Sequence, residues 1–333
     1  MSNEVGFAVV GLGMGRGRAQ MVRDTEGAQL VKVVDLRSEL AREVGEELQC
    51  AWADSLDEAL NDDDVDVVLV MTPSGLHGDV AIKVLEAGKH AVTTKPMEVT
   101  VEKCDAMVEA ASKAGKFLAV DFQERYTDLA QKTKYAIDQG LFGKPILCES
   151  RLKWFRTQAY YDAGGWRGTW AMDGGGALAN QSIHVIDLLV WFLGAPKQVI
   201  GRMGTFTHKI ETEDLGMAII EFQGGAMGSI VGTTTYPQGI FWGVEVHGSE
   251  GGVSANLNPD GEVAWSFLEG METREDSLQR VAPVQNIVED VVSAVRDGTP
   301  LVCDGQQGRR SVAVLNAIYA SARANGRPVE FDG

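Results

Sequence analysis

The chain has 333 residues, of which 44% are hydrophobic and 23% charged, a composition expected of a soluble globular protein with room for two domains. Its formal net charge of −17 argues against nucleic acid as a partner, because phosphate binding needs a basic face. No apolar run approaches the roughly 20 residues of a membrane span. Met1-Ser2-Asn3-Glu4 lacks the basic start of a signal peptide. The four cysteines, Cys50, Cys104, Cys148 and Cys303, have no paired spacing and read as reduced thiols in a cytoplasmic setting.

The first 123 residues alternate strand and helix. Strands are expected at 5–10, 29–35, 65–71, 90–94 and 117–122, with helices near 14–24, 38–48, 55–60, 78–88 and 100–114. The 65–71 run is almost continuously apolar, as a strand buried on both faces must be. Strands joined by such helices imply right-handed crossovers and a parallel, doubly wound sheet, a Rossmann-type domain over 1–123. The ligand crevice of such a sheet lies beyond the carboxyl ends of its strands.

The turn after the first strand is Gly11-Leu12-Gly13-Met14-Gly15-Arg16-Gly17. Gly11 and Gly13 permit a tight turn and close backbone approach, and the helix that follows offers free N–H groups to a pyrophosphate. In a chain with 39 glycines this pattern alone also fits an ordinary turn. Its context favours a dinucleotide. The second strand ends in Asp35, 20 positions beyond Gly15, at the spacing of a carboxylate that binds the adenosine ribose. Asp35 favours NAD, while Arg37 and Arg16 leave NADP open. Arg16 replaces the third glycine of the fingerprint. Gly15 or Gly17 is therefore expected to allow helix and strand to approach, with Arg16 turned outward to pyrophosphate or solvent. The cofactor set is completed by Met14 in the same turn and by the later turns: Thr72, Pro73, Ser74 and His77, then Lys95 and Pro96, and finally Gln123. Lys95 reads either as a solvated charge or, from its place at a strand's carboxyl end, as a crevice residue.

From Gln123 the alternation stops. A helix is expected over 126–139, a turn at 141–145 and a strand over 146–155. The stretch 160–170, rich in aromatics, Gly and Arg, is either a loop packed on itself or a lining for a polar ligand. Trp166 and Arg167 are its candidates for substrate binding. Gly174-Gly175-Gly176 then opens a helix closed by Gly194. Asn180 and His184 are four apart on it and share a face. His184 reads either as a core histidine or as a functional one. No second His or Cys accompanies His184 and Asp187, so no metal site is expected. Residues 199–284 alternate as antiparallel sheet, 286–297 and 305–324 as helices, with a tail at 328–331. The expected division is 1–123, then an α+β domain with a large, mostly antiparallel open sheet over 124–300, then 301–333 packing back.

The G-x-G domain, the Thr94-Lys95-Pro96 turn and the Gly174–His184 segment together resemble the glucose–fructose oxidoreductase/inositol dehydrogenase (Gfo/Idh/MocA) family across essentially the whole chain. The family's Glu-Lys-Pro turn falls on Thr94-Lys95-Pro96, with Thr in place of Glu. Its catalytic Lys and His fall on Lys95 and His184, and its Asp on Asn180, a departure. Asn180-Gln181-Ser182-Ile183-His184 with Trp166-Arg167-Gly168-Thr169 is similar to a subgroup that includes UDP-sugar-acid 3-dehydrogenases. The resemblance implies oxidation of a secondary hydroxyl on a sugar, sugar acid, nucleotide-sugar or cyclitol, with hydride passing to NAD. His184 would act as base, Lys95 would stabilise alkoxide charge, and Asn180 would orient the hydroxyl or the His ring. An NAD-dependent glycosidase and a non-catalytic NAD-binding regulator remain as alternatives. The open sheet implies a homodimer or homotetramer.

Overall fold

The computed structural model describes residues 4–237, 241–258 and 261–331. Met1–Asn3, and positions 238–240 and 259–260 of the expected sheet region, lie outside them. The chain forms two compact units, one from 1–123 and 284–309, the other from 124–283 and 310–333.

In the first unit, strands β1 (Val5–Val10), β2 (Ala28–Val34), β3 (Ala51–Ala53), β4 (Val67–Val70), β5 (His90–Thr94) and β6 (Leu118–Asp121) form one parallel sheet in the order β3-β2-β1-β4-β5-β6. Every residue of β1, β4 and β6 is buried. Helices cover such strands on both faces, which explains their apolar runs. The connecting helices are α1 (Leu12–Asp24), α2 (Ser38–Leu48), α3 (Leu56–Leu60), α4 (His77–Glu86) and α5 (Val101–Ala114). Strand order reverses between β1 and β4, so the turns after these two strands open beside each other, where such sheets take their ligands. The sheet has six strands rather than the expected five. β3 is a three-residue edge strand, too short to leave a periodic signal.

The second unit opens with α6 (Asp128–Asp138), β7 (Pro145–Lys153), α7 (Gln158–Asp162) and α8 (Ile183–Leu193). There follow β8 (Pro196–Gly204), β9 (Leu215–Phe222), β10 (Met227–Thr233), β11 (Phe241–Gly248), β12 (Gly251–Asn256), β13 (Val263–Phe267) and, at the end of the chain, β14 (Val329–Glu330). These eight strands run β13-β12-β11-β7-β10-β9-β8-β14. All pairs are antiparallel except β7 with β10. Phe155, expected inside a strand, makes only an isolated bridge to Thr235. Along β9, Gly216, Ala218, Ile220 and Phe222 point inward, while Met217, Ile219 and Glu221 point out. The apolar helix α8 packs on the inward face, with nine of its eleven residues buried. A helix that is apolar all round must be enclosed in this way.

After the sheet, α9 (Ile287–Asp297) packs on β1 and β2, and α10 (Gly305–Arg323) follows. The sequence placed α9 in the second domain, but 284–309 cluster with the first unit. Amphipathic spacing shows that a helix buries one face. It does not show which sheet receives that face.

Candidate functional site

The first unit carries a cradle at the start of α1. Gly11 has φ +91°, and a Cβ there would lie 2.8 Å from the Met71 carbonyl oxygen, so only glycine fits. A Cβ on Gly13 would meet nothing within 4 Å, so packing does not require this glycine and the space above it is open. A Cβ on Gly15 would lie 3.1 Å from Met71 Cβ and 3.2 Å from Val9 Cγ1, whereas one on Gly17 would meet nothing. Gly15 is therefore the residue that lets helix and strand approach. Arg16 points outward and pairs with Glu43 and Glu47 of α2, and Met14 is exposed. The first turn of α1 carries no acid and Gly11 gives it no side-chain cap; Asp35 takes the Leu12 amide, and the N–H groups after it are left to an anion.

At the end of β2, Asp35 accepts from the Leu12 amide at 2.8 Å and from the Arg37 amide and Nε at 3.0 and 2.9 Å. Burial pushes its pKa up. The bonds from the Arg37 side chain and from the Leu12 and Arg37 amides, with the Arg37 charge, outweigh burial and hold it below the usual carboxylate range. Arg37 is thus committed to Asp35. Arg37 Nη2 donates as well, at 3.1 Å, so four donors occupy the carboxylate and a hydroxyl would take the place of one Arg37 bond.

Thr72 and Pro73 follow β4, and Ser74 begins a 3₁₀ turn into α4. His77 is fully enclosed. Its Nε2 lies 2.8 Å from the Thr72 carbonyl oxygen and its Nδ1 2.9 Å from that of Pro96. It braces the turn after β4 against the Lys95-Pro96 turn and has no surface for the direct cofactor contact expected of it. Lys95 is half-buried at the end of β5, within electrostatic reach of Asp121. Burial pushes the Asp121 carboxyl up, while the charges of Arg18 and Lys95 pull it back. Arg18 donates to Asp121 at 2.6 Å and to Gln123 at 3.0 Å.

The second unit carries a helical run that begins after Gly176. A Cβ on Gly175 would lie 1.9 Å from the Tyr319 hydroxyl, and one on Gly176 1.9 Å from the Glu213 carbonyl oxygen, so neither admits a side chain. The Glu213 carboxylate accepts from the Gly176 amide at 3.0 Å, the Leu178 amide at 2.8 Å and the Tyr319 hydroxyl at 3.0 Å. It caps the run. Burial pushes its pKa from 4.5 up to about 7, against those donors. The run starts as a π-turn, Ala177–Ser182, before becoming α8, so Asn180 is not on a regular α-helix as expected. Asn180 Nδ2 donates to Asp173 at 2.6 Å, and its Oδ1 accepts from Gln181 at 2.7 Å and from the Tyr160 hydroxyl at 3.4 Å.

His184 is buried, its ring 6.1 Å from that of Trp242, which meets Trp154 edge-on at 5.6 Å. Further along α8, Asp187 accepts from Arg125 Nε and Nη2 at 2.7 and 2.8 Å and from the Ser311 hydroxyl at 2.7 Å, all out of water. The 160–170 stretch begins in the short helix α7. Its Arg167 stacks 4.8 Å from the Tyr160 ring and 5.1 Å from that of Trp166. Arg167 is joined to Asn180 through Tyr160. Sequence reasoning missed Trp154, Arg156, Gln181, Glu213, Trp242 and the Arg125–Asp187 pair. Only Glu213 left a signal, an acid doublet with Asp214 before a strand.

Removing one partner of a buried ion pair strands the other charge. Asp187→Ala is expected to lower unfolding stability by about 3–5 kcal/mol in denaturant titration, and an unchanged midpoint would contradict the clamp. Glu213 binds its proton more tightly in the folded state than in the unfolded chain. Its stability contribution is full below pH 4.5 and is lost as pH rises through about 7. Thermal unfolding across that window should therefore fall with pH more steeply in the unsubstituted protein than in Glu213→Gln. Parallel curves would contradict the buried carboxyl's role.

Comparison with known proteins places these features in a family. Residues 5–122 match the profile described as oxidoreductase family, NAD-binding Rossmann fold, and residues 130–254 match the GFO/IDH/MocA C-terminal domain. The crystal structure of the WlbA dehydrogenase from Bordetella pertussis, in complex with NADH and UDP-GlcNAcA, is similar at TM-score 0.89 and 31% identity, over 100% of this chain and 99% of that one. The scyllo-inositol 2-dehydrogenase (NAD(+)) of Bacillus subtilis is 31% identical over 76% of this chain and 74% of its own length. The 2,7-anhydro-N-acetylneuraminate hydratase of Mediterraneibacter gnavus is 29% identical over 62% of this chain and 54% of its own length.

Proposed function

The chain belongs to the GFO/IDH/MocA oxidoreductase family, and we propose that it is an NAD-dependent dehydrogenase that oxidises a secondary hydroxyl of a carbohydrate-type substrate. The observation that carries this reading is the cradle at the β1–β4 switch point. There Gly13 is open, the first turn of α1 carries no acid of its own and Asp35 is ionised, while Lys95 stands at the end of β5, two strands along. Bound NAD supplies the hydride acceptor. The Gly11–Arg16 turn holds its pyrophosphate, with Met14 beside it. Asp35 accepts a ribose hydroxyl in place of an Arg37 bond and favours NAD over NADP. Thr72, Pro73, Ser74, Pro96 and Gln123 line the way to the ring, and His77 holds two of those turns in place.

Oxidation of the alcohol needs a base for the hydroxyl proton. On our reading His184, as neutral imidazole, takes that proton. The Lys95 ammonium donates to the same oxygen and stabilises the alkoxide charge as it forms. Asn180, held by Asp173, orients the hydroxyl. It is neutral and so stabilises an imidazolium less than an aspartate would. Trp166 and Arg167 anchor the substrate. His184→Ala is expected to lower kcat/KM by about 10²–10⁴-fold with NADH affinity nearly unchanged, and Lys95→Ala to lower it comparably. Near-normal turnover in both variants would overturn the assignment.

The relative named as a hydratase favours a second reading, in which the same residues serve a reaction without net redox change. The NAD-dependent glycosidase considered from the sequence is of this kind. Accumulation of reduced cofactor supports the dehydrogenase, and product without it supports the alternative. Binding of NADH with no product from any carbohydrate would leave only the non-catalytic regulator.

We further propose that the open sheet face, where Met217, Ile219 and Met227 are each about half exposed, joins copies of the chain into a homodimer or homotetramer. Ile219→Lys should lower the mass seen in sedimentation. An unsubstituted protein that sediments as a monomer would contradict this.

A further inference from the structure

Acidic side chains, 47 of them, dominate a chain of net charge −17. Arg156 and Arg167, like several other arginines, nevertheless have no carboxylate partner among the described residues. Their own polar contacts are a side-chain amide and backbone carbonyls. They sit instead in a ladder of rings. The Arg156 guanidinium lies 4.8 Å from the Trp154 ring and 5.1 Å from that of Tyr160, and Arg167 follows between Tyr160 and Trp166. Ring faces cover the guanidinium faces and leave its in-plane N–H groups at the edge. On that edge Arg156 Nη2 donates to Gln181 at 3.0 Å, while Nε is buried with no partner. A buried unpaired donor is costly unless a ligand atom supplies what it lacks. Gln181 and Tyr160 both bond to Asn180, so the ladder joins the proposed substrate residues directly.

We propose that Arg156 and Arg167 form the receptor for an anionic group of the substrate, a carboxylate or a phosphate carried by the carbohydrate. This rests on the reading of Asn180 and His184 given above. The guanidinium fork matches two oxygens of either group, which a hydroxyl cannot offer. Beside Arg167 a cavity of about 460 Å³ also carries Lys209 and Thr169, with Asp162 and Glu211. Asp162 accepts from Gln158 and Glu211 from the Trp170 amide, both neutral donors, so Arg167 and Lys209 face these two acids as well as any ligand in the cavity. There is room here for a charged substituent. A neutral cyclitol would leave the Arg156 guanidinium uncompensated.

The test separates binding from turnover. Calorimetry on the NADH-loaded full chain would compare glucose, glucuronate and glucose 1-phosphate, and NAD reduction would be followed with the same three. The proposal expects glucuronate or the phosphate to bind at least about tenfold more tightly than glucose, the better of the two identifying the source of the charge. Arg156→Met should erase that preference, and Arg156→Lys, which keeps the charge but loses the fork, should restore only part of it. Unchanged NADH affinity in each variant shows that the protein remains folded. Equal binding of acidic and neutral sugars, or a preference that survives Arg156→Met, would overturn the proposal. Acid-selective binding without NAD reduction would uphold the anion receptor and instead count against the dehydrogenase reading.

Discussion

A helix as apolar as α8 cannot be set in its rotation by burial alone. Hydrophobic burial is proportional to area and has no direction, so many rotations of Ile183–Leu193 would bury similar surface. Polar ties choose among them. Glu213 fixes the first amides of the run, and Arg125 with Ser311 fixes Asp187. Asp187 follows His184 by three residues, so the pair that anchors the helix also aims the imidazole. The glycines before the run serve the same constraint, since a Cβ on Gly175 or Gly176 would displace Tyr319 or the chain at Glu213. The placement of α8 in the second unit thus depends on a few polar groups held out of water.

The first unit uses a related device. Asp35 ties the first amide of α1 to the end of β2, and His77 ties the turn after β4 to the turn that carries Lys95. In both places a side chain spends its hydrogen bonds on backbone, and the loops become rigid parts of the sheet edge. Loops placed in this way lose little freedom when a ligand arrives.

The parts of this arrangement legible in the sequence are those fixed by local geometry. Gly11, Gly13 and Asp35 stand at set distances from strands whose apolar runs are plain, and Lys95 follows the same rule at a later strand. The parts that were not legible depend on residues far apart in the chain. Glu213 meets Gly176 across 37 positions, Arg125 meets Asp187 across 62, and no periodicity encodes either meeting. Arg156 looked like any surface arginine, because its ring partners become visible only once α7 and β7 are folded. His77 was misjudged for the opposite reason. It stands in a cofactor turn, but burial turned it to backbone. The π-turn at Asn180 also escaped the 3.6-residue pattern that marks the helix after it.

Removal of hydride from a carbohydrate carbon is the step this protein is proposed to carry out. It is tested most directly by incubating it with NAD and a carbohydrate substrate deuterated at its secondary carbons, then weighing the cofactor by mass spectrometry. The expected product is reduced nicotinamide that carries one deuterium. Product formed with the cofactor left oxidised and unlabelled would contradict it.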